Sequence, residues 1–214
     1  MFLINALYFK GSWTQRFDAS RTRLEPFHGE DGSVVQVPTM QGMVEIGHRV
    51  TDDYRVIDLP YGRGAFSMTI LLPHEPGGID ELVASLDVGQ WEAAVMNLTE
   101  QEVEVHLPRF RIAYEQKLND ALKGLGMELA FVFRAADFSG MSATHGRLLY
   151  IDEVLQKSFV DVNEQGTEAA AATSVGVKIG SAPAPIRVDR PFGFAIRERF
   201  SGTILFIGKV TDPS

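Results

Sequence analysis

The chain of 214 residues contains no cysteine, which removes disulfide scaffolds, thiolate nucleophiles and thiolate metal sites from consideration and leaves the redox compartment open. Positive charge is scarce: 20 Lys and Arg stand against 28 Asp and Glu, for a net charge of −8. Phosphate backbones are bound by clustered cations, so no nucleic-acid partner is expected. Long apolar runs are also missing. Arg, Asp, Glu or Gly interrupts each hydrophobic stretch before the roughly 18 residues a membrane span needs, so no membrane partner is expected either. The opening Met1 to Lys10 has neither the basic lead nor the small-residue cleavage site of a secretory signal. No Gly-x-Ser-x-Gly elbow, phosphate loop or paired metal-ligand spacing occurs, so the motifs offer no enzyme active site, no cofactor and no metal. His28, His48, His74, His106 and His145 are too scattered for a shared site, and His106, beside Leu107, reads as structural.

What is present is a globular composition, 45% hydrophobic and 22% charged, long enough to bury a core as one large domain or two small ones. With neither repeats nor an obvious linker, one compact unit is the simplest reading. Met1 to Phe9 reads as a strand with apolar residues on both faces, hence covered on both. Strand-like runs follow at 33–37, 43–49, 54–59 and 65–72, punctuated by Gly, Pro and Asp. Leu82, Leu86, Trp91, Val95 and Leu98 carry the spacing of two short helices. Val103, Val105 and Leu107 alternate as a strand that runs into 108–112. Leu118, Leu122, Leu125 and Leu129 predict a helix whose end Gly124 and Gly126 blur. Residues 148–163 read as extended, and Pro191 to Val210 as a hairpin turning at Glu198 to Gly202. Strands outnumber helices without βαβ alternation, which predicts an α+β fold with mainly antiparallel sheets and a few helices.

One segment contradicts itself. Glu164-Gln165-Gly166-Thr167-Glu168-Ala169-Ala170-Ala171-Ala172-Thr173 carries the strongest helix-forming run in the chain, yet it follows a strand and precedes β-branched residues. In a sheet, Thr167, Ala169, Ala171 and Thr173 share one face, while Glu168, Ala170 and Ala172 share the other, with the charge toward solvent. Small inward side chains need little room between two existing strands. No proline occurs from 164 to 182 to deny the ladder a donor.

This stretch resembles the hinge of the reactive loop in the serpin family. Asn5 to Trp13, Leu107-Pro108-Arg109-Phe110, Ala136-Asp137-Phe138-Ser139-Gly140-Met141, and Pro191-Phe192-Gly193-Phe194 with Gly202 to Gly208 are similar to further serpin signatures, in serpin order. The resemblance covers nearly the whole chain. It implies a serine protease inhibitor, not an enzyme, whose loop spans about 164–190 and enters the large sheet after cleavage, trapping the protease as a covalent acyl complex. The hinge would be Glu164, Gly166, Thr167, Glu168, Ala169, Ala170, Ala171, Ala172 and Thr173.

The family's spacing places the scissile bond at Gly180-Ser181, which suits an elastase-like or subtilisin-like protease with a small primary pocket. A slip to Lys178 implies a trypsin-like target instead. Trp13, Arg109 and Glu164 match the family's breach, where a cation pairs with the hinge glutamate. Asn5 matches its shutter, although Gln156 stands where many members carry histidine. Serpins carry a long, mainly helical half before these motifs, and none of it precedes Met1. The resemblance thus implies an incomplete serpin domain over 1–214, with a fragment, a shortened product and a partner chain supplying the N-terminal half all open. It favours an extracellular or periplasmic location. A non-inhibitory serpin acting as carrier, chaperone or store is the alternative, against which the small residues Ala169 to Ala172 argue.

Overall fold

Strand-forming residues punctuated by turn formers become strands over about half of the described residues, and the computed structural model describes residues 1–167 and 183–214. In chain order the strands are β1 (Phe2–Tyr8), β2 (Gly11–Ser12), β3 (Arg23–His28), β4 (Val34–Val50), β5 (Tyr54–Tyr61), β6 (Phe66–Pro73), β7 (Thr99–Pro108), β8 (Phe110–Lys117), β9 (Glu153–Val162), β10 (Gly166–Thr167), β11 (Ile186–Arg187), β12 (Phe192–Glu198) and β13 (Ile204–Val210). The α-helices are α1 (Ile79–Ser85), α2 (Val88–Val95) and α3 (Asn119–Leu122). The class is the expected α+β. Two compact units are distinguished, Met1–Phe9 with Arg111–Val160, and Lys10–Phe110 with Asp161–Ser214.

The first unit is built on a sheet of order β1-β9-β8. β1 runs parallel to β9, so that Asn5 faces Gln156 and Tyr8 faces Phe159. Lys157 reaches Glu115 at 2.8 Å and Lys117 reaches Glu153 at 3.0 Å, tying β8 to β9 through charge. The expectation that both faces of β1 are covered does not hold. All seven of its residues are exposed, Phe2 and Ile4 to 65% and 72%, because apolar residues on both faces need a layer on each side and this unit supplies neither. The leucine stripe is also broken. Gly126 takes φ +97°, a left-handed conformation that ends an α-helix, and Leu125 and Leu129 are left exposed.

The second unit carries a sheet of order β11-β7-β4-β5-β6-β12-β13, with β3 paired to β4. Most pairings are antiparallel, while β11 joins β7 in parallel. The runs read as separate strands at 33–37 and 43–49 form one strand of 17 residues, and β3 lies ahead of the first of them, where no strand was expected. The two short helices occur as expected. Asp87 caps α2 by accepting from Gln90 N at 2.8 Å while Gln90 returns a bond to Asp87 N, a capping box. They press Ile79, Leu82 and Ala94 onto Val56 and Leu71. On the other flank Phe110 packs against Phe192 and Phe194, with ring centroids 5.6 and 5.4 Å away.

Among the described residues no helix is long and apolar enough to cross a membrane. None of their His, Asp and Glu side chains groups in a way that would hold a metal ion.

Candidate functional site

The chain reverses sharply between β9 and β10. Asn163 and Gly166 exchange backbone hydrogen bonds of 3.0 and 3.1 Å, and Asn163 Oδ1 accepts from Gln165 N at 3.0 Å, the local contact that makes Asn a turn former. Gly166 completes the turn at φ +124°, in a region closed to residues with a β-carbon. Beyond it, β10 pairs antiparallel with β2, Gly166 facing Ser12 and Thr167 facing Gly11.

This turn is bolted to the residues around Trp13. Trp13 N donates to Gln165 O and Phe17 N to Glu164 O, each at 3.0 Å, and the indole Nε1 donates to Asn163 O at 2.9 Å. The indole is buried, stacked on Tyr61 at 4.4 Å and edge-on to Phe17 at 6.3 Å. Aromatic pairs in these arrangements gain about 1 kcal/mol beyond their buried area. Trp13 thus serves the turn twice, by a directed hydrogen bond and by filling the space beneath it.

Glu164 is 6% exposed. Its Oε1 accepts from Arg109 Nε at 2.8 Å, and Arg109 Nη2 and Thr22 Oγ1 converge on the same oxygen. Burial alone raises the carboxyl pKa, but the hydrogen bonds from Arg109 and Thr22 and the guanidinium charge outweigh it and hold the group below the usual carboxylate range. Arg109 is itself half open to solvent and is seated by its own backbone, whose N–H donates to Pro38 O at 2.9 Å. The arrangement is a latch: one charge-assisted junction ties the turn ahead of β10 to the end of β7 and to Thr22.

Trp13, Arg109, Glu164 and Gly166 therefore stand together. Asn5 belongs to the other unit, where it lies on β1, exposed, facing Gln156 across the parallel register. Glu168, Ala169, Ala170, Ala171, Ala172, Thr173, Lys178, Gly180 and Ser181 fall outside the described residues. Thr22, by contrast, is a latch residue that the sequence reading did not find. A second cluster also escaped it. Asp58 and Arg197 are buried, and Asp58 Oδ1 accepts from Ser67 Oγ at 2.8 Å, Thr69 Oγ1 at 2.5 Å and Arg197 Nη2 at 3.1 Å. Arg199 Nε stands 3.6 Å from the other oxygen. The available signal was an Asp and an Arg placed among apolar residues of strands, where an unpaired charge is not tolerated.

The family described as serpin (serine protease inhibitor) matches residues 1–213. A protein named serine protease inhibitor from Cyanea capillata is 38% identical across 99% of this chain and 57% of its own length. A serpin-like protein of Thermococcus kodakarensis is 41% identical across 99% of this chain and 49% of its own. The solved structure of a highly specific serpin from the insect Tenebrio molitor superposes with a TM-score of 0.84 at 38% identity, covering all of this chain and 56% of that one. The chain spans about half the length of the relatives it matches. With the family matched from end to end and the fold shared, the chain belongs to the serpins, a family of serine protease inhibitors.

Proposed function

We propose that residues 1–214 are the C-terminal part of a single serpin domain that inhibits a serine protease by trapping it as a covalent acyl complex. The observation that carries the reading is the latch on Glu164, a buried carboxylate held by Arg109 and Thr22 just ahead of the Gly166 turn and the small-residue hinge. The serine Oγ of the protease adds to the Gly180 carbonyl carbon, and the Gly180-Ser181 bond breaks with a proton passing to the departing Ser181 amine. Gly180 is left as an ester on the enzyme. The freed hinge then enters the large sheet, an insertion mode known as strand addition. Roughly a dozen residues at about 1 kcal/mol net per ladder hydrogen bond release on the order of 10 kcal/mol, enough to distort a bound enzyme.

A glycine at the cleaved position favours an elastase-like or subtilisin-like target acting outside the cell or in the periplasm. Because the relatives are about twice as long, the N-terminal half of a serpin domain is a required partner in this reading. The test is incubation with elastase-like, subtilisin-like and trypsin-like proteases, using the chain alone and the chain co-expressed with such a half, read on denaturing gels. An adduct heavier than the protease, with a released peptide beginning at Ser181 by mass spectrometry, is the expected result. Cleavage without adduct across the panel would overturn the proposal.

A further inference from the structure

The buried Asp58 lines a polar cavity of about 250 Å³ in the second unit. Register explains the hollow. Gly47 on β4 faces Asp58 on β5 and Glu100 on β7, and two positions back along β4 stands Glu45. Paired residues project to the same face of a sheet, as do residues two apart on one strand. Three carboxylates therefore surround a glycine that has no side chain to fill the space between them. Cations complete the lining: Arg63 in the β5–β6 turn and Arg199 in the β12–β13 turn border the same cavity.

The backbone of these walls is tied down. Gly62 N donates to Ser12 O at 2.7 Å and Thr14 Oγ1 to Gly62 O at 3.0 Å, while Arg199 N donates to Ala65 O at 2.9 Å. The charges are not. Glu45, Glu100 and Arg63 are exposed, and their side chains make no hydrogen bond or ion pair among the described residues. Asp58 Oδ1 is occupied by Ser67, Thr69 and Arg197. For Oδ2 the nearest cation, Arg199 Nε, stands at 3.6 Å, beyond hydrogen-bond reach. No fully enclosed polar side-chain atom among the described residues lacks a partner, so this oxygen opens onto the cavity.

We propose that this cavity binds a free α-amino acid, with its ammonium among Asp58, Glu45 and Glu100 and its carboxylate at Arg63 and Arg199. Charge selects the class. A lone anion meets three carboxylates and a lone cation meets two guanidinium groups, and either arrangement sets like charges side by side at a cost. A ligand that carries both signs about one carbon satisfies both sets. An ammonium brings three donors and no acceptor, which suits the open oxygen of Asp58. A guanidinium fork matches a carboxylate in two parallel bonds. Size agrees as well, since drug-sized ligands occupy roughly 300–1,000 Å³ and this cavity is smaller.

The site does not depend on the trapping reaction proposed above and is tested without a protease. Titration of the isotope-labelled full chain with glycine and with L-alanine at neutral pH, read by the amide chemical shifts of Gly47 and Gly64, is expected to give saturable shifts. Acetate and methylammonium, each carrying one of the two charges, should bind at least about tenfold more weakly, the factor that a single charge-assisted hydrogen bond supplies. Arg63→Met and Glu100→Gln change exposed side chains without partners, so the fold is kept, and each should weaken glycine binding by a similar factor. No saturable shift with either amino acid, acetate or methylammonium binding as tightly as glycine, or undiminished binding in either variant overturns the proposal.

Discussion

A β-carbon placed on Gly166 would stand 2.2 Å from the carbonyl oxygen of Gly11, and 2.6 Å from Trp13 N. Both obstacles are backbone, so no side chain can swing aside. The positive φ adds its own cost, on the order of 1–3 kcal/mol for a residue other than glycine. Gly166→Ala should therefore lift β10 from β2 and reduce unfolding free energy by about 2–3 kcal/mol, measured by chemical denaturation. A loss below about 0.5 kcal/mol would contradict the close approach.

Glu164 makes a pH-dependent contribution. Its folded pKa lies below the unfolded value, so the stability it adds is fully present above an unfolded pKa of about 4.3 and is lost as pH falls through the folded one. Glu164→Gln should cost about 1–3 kcal/mol at pH 7, as expected for a hydrogen bond to a charged group, and less as pH drops below 4. Melting curves from pH 3 to 7 for both proteins should converge on the acid side. Parallel curves would place the acid-sensitive groups elsewhere.

The Asp58 cluster predicts a strongly non-additive pair. Asp58→Ala leaves Arg197 buried without its carboxylate, a class of change that costs about 3–5 kcal/mol. Arg197→Met alone takes one cation from the buried carboxylate, which keeps Ser67 and Thr69 as donors and Arg199 at 3.6 Å. Asp58→Ala combined with Arg197→Met removes both charges, and the double variant should be less destabilised than the two single losses added together, by at least about 1 kcal/mol in denaturant titrations. Additive losses would show that the two groups act independently.

The parts of the fold that were legible have their pattern within a few neighbouring residues. Phe192, Phe194 and Ile196 alternate, Gly202 turns at φ +74°, and the β12–β13 hairpin follows. The parts that were not legible depend on distant partners. Gly42 reads as a turn but sits within β4 because Phe17 would lie 3.0 Å from its β-carbon, so a strand that looked interrupted is continuous. β3 contains Pro26 and three charged or titratable side chains and buries Phe27; its pairing to β4 overrides a weak local preference. At the site, Arg109, Glu164 and Trp13 were found through motif resemblance. Thr22 was not, since its partner Glu164 lies 142 positions away and a lone threonine after Arg21 carries no local signal. β1 erred in the other direction: apolar residues on both faces report a need for covering layers, not where those layers come from.

The hinge supplies the sharpest test of the trapping reaction proposed above. If residues 167–173 enter a sheet as a strand, alternation sends Thr167 inward and Glu168 to the solvent face. A charge at the inward position must be desolvated without a partner, which costs several kcal/mol and slows insertion. Trapping is a race between insertion and completion of hydrolysis, so a slower insertion releases the protease. Thr167→Arg should convert an inhibitor into a substrate, cleaved at Gly180-Ser181 with little covalent adduct on denaturing gels. Glu168→Arg changes charge on the opposite face and should leave the adduct yield near that of the native chain. Both variants disturb the loop's charge, and alternation alone distinguishes them. An undiminished adduct from Thr167→Arg, or equal loss from the two variants, would remove strand insertion from the proposed mechanism.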